Sequence, residues 1–131
     1  MRNRVLVVDD AGFVRTMIRD ILERAGLDVV GEAANGADAV DRCRELKPDL
    51  VILDIIMPEL DGLEAASRIK KELPDVRIVF CSALGSKQTV LNAIRAGGAD
   101  FVVKPFSSDR LVDAVKKSLI TNRVQASEGR P

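Results

Sequence analysis

Asp9 with Asp10, Asp54, Ser82 and Lys104 are residue types that can hold, accept or read a phosphoryl group. Each stands at the end of a short apolar run: Val5 to Val8, Leu50 to Leu53, Ile78 to Cys81 and Phe101 to Val103. Three carboxylates drawn together repel one another unless a cation sits among them or protons are taken up. The chain has no His and only two Cys, which disfavours a transition metal held by nitrogen or sulfur. The fitting ion is hard and oxygen-bound, such as Mg2+, which keeps several waters and links carboxylates to phosphate oxygens. Lys104 adds a positive point charge and Ser82 a hydroxyl that can donate to an anion. Together these groups suit phosphoryl transfer, in which the protein mainly positions groups in line and neutralises spreading charge. One carboxylate can itself be the nucleophile and form an aspartyl phosphate. By position Asp54 is best placed for that role, standing last on a central strand, while the paired Asp9 and Asp10 suit the ion.

Taken singly, each of these signals is ordinary. An Asp-Asp after a strand is commonly turn or capping chemistry, a strand-end Asp or Lys a solvated rim charge, and a loop Ser a cap. Their conjunction at successive strand ends carries the argument, because strands that run parallel share one carboxyl edge, where open α/β sheets bind ligands.

The elements that must do this positioning alternate. Val- and Ile-rich runs of strand length are separated by amphipathic stretches of helical period, the pattern of repeated βα units around a parallel sheet. Five units are expected, with strands near 4–9, 28–33, 50–54, 77–82 and 100–104. Several runs are apolar without alternation, as for strands covered on both faces. Val14, Met17, Ile18, Ile21, Leu22 and Ala25 form the core stripe expected of the first helix, with Gly26 as its stop. Further helices are expected over about 36–46, 62–72 and 86–96, and a fifth after Ser107-Ser108 carrying Leu111, Val112, Val115 and Leu119.

At 131 residues and 14.2 kDa the chain fits one domain able to bury its own core. Residues 1–120 form that domain, and 121–131 read as a polar tail or the start of a linker. Lys+Arg and Asp+Glu balance at 20 each, so no net field draws nucleic acid or an anionic membrane. No run is long enough to span a bilayer and no signal-peptide core follows Met1, so a cytoplasmic protein is expected. Cys43 and Cys81 read as reduced packing residues.

The motifs Val7-Val8-Asp9-Asp10, Leu53-Asp54-Ile55-Ile56-Met57-Pro58 with Asp61-Gly62, Cys81-Ser82-Ala83 and Ala99-Asp100-Phe101-Val102-Val103-Lys104-Pro105-Phe106 resemble, in order and spacing over about residues 4–120, those of response regulator receiver domains, most closely of the chemotaxis type. The resemblance implies a flavodoxin-like, doubly wound five-stranded parallel sheet with five helices; the strand order 2-1-3-4-5 comes with the family and not from spacing. It implies that Asp54 takes a phosphoryl group from a sensor histidine kinase or a small donor such as acetyl phosphate. Asp10, Asp54 and the Ile56 backbone carbonyl would ligate Mg2+, with Asp9 acting chiefly through water. Lys104 would contact the phosphoryl oxygens, approaching across a cis peptide to Pro105. Ser82 would swing inward, Phe101 would follow, and the face built from the fourth helix, fifth strand and fifth helix would change its preference for an output partner, a flagellar motor switch component or another effector. The implied protein is a monomer that catalyses only its own phosphorylation and dephosphorylation, and binds neither nucleic acid nor membrane directly. The alternative is a receiver cut from a longer regulator with a DNA-binding or enzymatic output domain.

Two departures from the pattern matter. Ser82 stands where relatives often have Thr and keeps the hydroxyl; Phe101 stands where chemotaxis relatives have Tyr and loses one. Ile56 and Leu84, two residues after Asp54 and Ser82, are apolar, and are expected to shield the acyl phosphate from water unless they simply pack at the sheet edge. Ile56 also tells against a phosphatase of the type that forms an aspartyl phosphate, which needs a second acid at that position. Asp9-Asp10-Ala11-Gly12-Phe13 tells against a flavin or dinucleotide carrier, whose first loop must cradle phosphate with backbone N–H groups.

Overall fold

A computed structural model describes the backbone of residues 3–128 and the side-chain surroundings of residues 3–120. Five strands, β1 (Arg4–Val8), β2 (Asp28–Ala33), β3 (Leu50–Leu53), β4 (Arg77–Ser82) and β5 (Asp100–Val103), alternate with five helices, α1 (Gly12–Arg24), α2 (Gly36–Leu46), α3 (Gly62–Glu72), α4 (Lys87–Arg95) and α5 (Ser108–Glu128). All strand pairs are parallel and the sheet order is β2-β1-β3-β4-β5. This is the doubly wound arrangement that the motifs implied.

Each face of the sheet buries its own apolar layer. Leu6, Val8, Val51, Leu53, Ile78 and Phe80 face Ala39, Val40 and Cys43 of α2, Ala65, Ala66 and Ile69 of α3, and Ala93 of α4. Val5, Val7, Leu50, Ile52, Val79 and Val102 face Val14, Ile18 and Leu22 of α1 and Leu111, Ala114 and Val115 of α5. β3 and, after Arg4, β1 are covered on both sides and accordingly apolar, whereas Val103 on the edge strand β5 is 47% exposed. Helix starts follow from side-chain caps: Asn35, Asp61, Ser86 and Ser107 accept the amides of Asp38, Glu64, Thr89 and Arg110. Gly26 closes α1 at φ +85°, the left-handed conformation expected of a glycine stop.

Two expectations need correction. Met17 falls on the helical stripe of α1 yet is 44% exposed, because only Val14, Ile18 and Leu22 of this helix are buried against the sheet. The helical backbone of α5 also continues to Glu128, past the point where apolar periodicity stops. Loss of a buried stripe ends packing and not helicity, and no Gly or Pro interrupts the chain between Ser108 and Glu128. Residues 129–131 of the expected tail lie outside the described residues.

Candidate functional site

Register brings the acidic residues together. Val8 pairs with both Ala33 and Leu53, so the residues that follow, Asp9 and Asp54, leave β1 and β3 side by side. Their amides extend the ladder, Asp9 N–H donating to the Ala33 carbonyl and Asp54 N–H to that of Val8, both at 3.1 Å. The two carboxylates are buried, 2% and 7% exposed. Asp10, one residue further, is exposed, and one oxygen from each of Asp9, Asp10 and Asp54 can lie within 4.8 Å of the others.

Lys104 arrives from the far edge of the sheet. Its amide donates to the Ser82 carbonyl at 2.9 Å, and the Lys104–Pro105 peptide is cis, as expected. Its Nζ donates to Asp9 Oδ2 at 2.6 Å and Asp54 Oδ2 at 3.0 Å. Burial of the ammonium lowers the Lys104 pKa, but the hydrogen bonds and charges of Asp9 and Asp54 together outweigh it and hold the lysine above its ordinary value. Three carboxylates against one ammonium still leave the cluster negative. An all-oxygen donor set, partly buried and short of positive charge, fits a hard divalent cation.

The remaining groups surround this cluster. Asp54 Oδ1 accepts the Ile55 amide at 2.7 Å and the Ile56 amide at 3.4 Å. Ser82, fully buried at the end of β4, accepts the Leu84 amide on Oγ at 3.2 Å, which leaves its own hydroxyl hydrogen to donate elsewhere. Phe101 packs on Phe80 with ring centroids 6.4 Å apart. It borders a depression of about 250 Å3 walled by Val90, Ala93 and Ile94 of α4 and by Gly98 and Val103. Ile56 is 56% exposed beside Asp54. Cys81 and Cys43 are buried, and burial pushes each thiol up to about 12, as fits packing residues.

The site therefore joins Asp9, Asp10, Asp54 and Lys104 directly, with Ser82 on the neighbouring strand and Phe101 a strand beyond. Two further residues bear on the site: Arg15, which the sequence reading did not single out, and Gly62, which entered it only as part of a motif. Arg15 donates from Nη1 to the Asp9 carbonyl at 2.7 Å. Gly62 lies so close to the Asp54 carbonyl that a Cβ would overlap it, while its N–H donates to the Ile55 carbonyl at 2.8 Å. The Asp61-Gly62 pair was visible as part of the receiver-domain motif, though not its contact with Asp54; nothing in the linear pattern marks Arg15.

Residues 5–116 match the model of the response regulator receiver domain. The chain is 51% identical over 119 residues to the chemotaxis protein CheY of Bacillus subtilis (strain 168), covering 91% of this chain and 99% of that protein. It is 50% identical over 117 residues to the CheY of Thermotoga maritima, covering 89% and 98% respectively. Among solved structures, the CheX-CheY-BeF3-Mg+2 complex from Borrelia burgdorferi superposes with a TM-score of 0.85 at 32% identity, covering 87% of each chain.

Proposed function

Because the chain belongs to the response regulator receiver domain family and is a regulator of the chemotaxis type, we propose that Asp54 is its phosphoryl acceptor. A carboxylate oxygen of Asp54 attacks phosphorus, a P–O bond forms, and the P–N bond of a sensor kinase's phosphohistidine breaks, with the nitrogen keeping the bonding pair. Acetyl phosphate serves in the same way, its P–O bond breaking and acetate leaving. Asp10, Asp54 and the Ile56 backbone carbonyl would hold Mg2+, with Asp9 acting chiefly through water. Bound there, the ion neutralises charge on the phosphoryl oxygens. The observation that carries this reading is the Lys104 ammonium lying between the Asp9 and Asp54 carboxylates, where a cation is wanted and from which it can turn to a phosphoryl oxygen.

Once Asp54 is phosphorylated, Ser82 turns its hydroxyl to a phosphoryl oxygen and Phe101 moves inward past Phe80. The α4-β5-α5 surface, which exposes Leu91, Ile94 and Val103, then changes its affinity for an output protein, the motor switch or another effector. The protein works as a monomer in the cytoplasm and catalyses no reaction other than gain and loss of its own phosphoryl group. No helix of the described residues is long and apolar enough to cross a membrane. Incubation with Mg2+ and acetyl phosphate is expected to add one phosphoryl mass to the intact protein, and Asp54→Ala or a chelator to abolish the gain. An unchanged wild-type mass would overturn the assignment.

A further inference from the structure

Asp9 is fixed by three contacts that the sheet ladder, the local turn and the acidic site explain in turn: its amide on the Ala33 carbonyl, Oδ1 taking the Ala11 amide at 2.9 Å, and Oδ2 taking Lys104. A fourth has no such origin. The Asp9 carbonyl belongs to the peptide that leads into Asp10, and the Arg15 guanidinium folds back from the first turn of α1 to reach it at 2.7 Å. That turn has no side-chain cap, since Ala11 occupies the cap position, so the guanidinium supplies a tether where a capping residue would otherwise stiffen the loop.

The guanidinium is itself held. Arg15 Nε donates to Glu32 Oε1 at 2.9 Å, and the other oxygen of Glu32 takes Arg19 Nε at 2.9 Å. Arg19 reaches on to the Val29 carbonyl at 3.5 Å and to Glu23 at 3.6 Å. Arg15, Arg19, Glu32 and Glu23 sum to zero formal charge, so the cluster projects little field on the site. What it does project is geometry. An arginine fork satisfies the Glu32 carboxylate and the Asp9 carbonyl with separate N–H groups in one plane, which a single ammonium cannot reproduce.

We propose that Arg15, braced by Glu32 and Arg19, is a positioning residue that fixes the Asp9–Asp10 peptide and so presets the acidic loop for a divalent cation. The inference rests on the reading of Asp9, Asp10 and Asp54 as the Mg2+ site. Charge and positioning have opposite signs here. If Arg15 acted by its charge, removing it would make the loop more negative and tighten Mg2+ binding; if it positions the loop, removing it loosens the ligands and weakens binding.

The test is an NMR titration of the unphosphorylated full chain with MgCl2, read at the Asp10 and Asp54 amides. Arg15→Ala and Arg15→Lys are expected to weaken Mg2+ binding by about 10-fold, the lower end for partners that orient metal ligands from outside the coordination sphere. Glu32→Gln is expected to weaken it less, and the phosphorylation rate of each variant to recover at saturating Mg2+. Unchanged or tighter binding by Arg15→Ala overturns the proposal; if that variant does not fold, unchanged binding by Glu32→Gln does so instead. A wild-type chain whose Asp10 and Asp54 amides ignore Mg2+ would sink the metal-site reading itself, whereas wild-type binding matched by the Arg15 variants sinks only the positioning role.

Discussion

Ile56 and Leu84 are 56% and 43% exposed, too open to serve as core residues, and they stand two positions beyond the proposed acceptor and the proposed hydroxyl donor. Apolar groups there lower the local density of water without supplying a base to activate it. Ile56→Asn and Leu84→Glu are each expected to speed loss of the phosphoryl mass about fivefold, a barrier change of about 1 kcal/mol. Equal decay rates for variants and wild type would leave both side chains as mere rim packing. The same scale separates what could be read in the chain from what could not. Asp9, Asp54, Ser82 and Lys104 were legible because each punctuates an apolar run. Arg15 was not, because its partner is a carbonyl and the residue bracing it is 17 positions away on β2; a long polar side chain shows its target only after the elements are placed.

At the scale of the elements, α3 is joined to the acceptor strand with no slack. Gly62 opens the helix against the Asp54 carbonyl, and the nearest atoms a Cβ would meet there belong to the backbone. Gly62→Ala is expected to destabilise the fold by about 2–3 kcal/mol or more, read as a lowered urea midpoint, and to slow phosphorylation as well because Asp54 must shift. An unaltered midpoint would show that the turn can yield. Strand and helix order followed from periodicity because each face of the sheet demands an apolar stripe. The fate of Met17 did not, since a helix lying on a sheet buries a narrower stripe than the spacing i, i+3, i+4 allows. The length of α5 was illegible for the opposite reason: Thr121 to Glu128 carry no stripe, yet nothing in them breaks a helix.

At the scale of the molecule, 20 acidic and 20 basic side chains cancel, so acid sensitivity is decided by local clusters. Burial pushes the Glu32 pKa up, but hydrogen bonds from Arg19 and Arg15 more than reverse this and hold it below its ordinary 4.5. A carboxylate with a lowered folded pKa contributes stability that is full above the unfolded value and is lost as pH falls through the folded one. Between about pH 5 and about pH 3 the wild type should therefore lose more stability than Glu32→Gln, measured as urea midpoints; parallel curves would mean that the pairing contributes nothing. Finally, the two helices that flank the site on this side of the sheet are anchored unequally. α3 buries Gly62, Ala65, Ala66 and Ile69, while α4 buries Ala93 alone. If Asp54 takes up a phosphoryl group as proposed, α4 is the helix with less buried packing to overcome before it moves. Linkage makes that looseness work both ways: a partner that holds α4 in the phosphorylated arrangement would favour phosphorylation of Asp54 to the same extent.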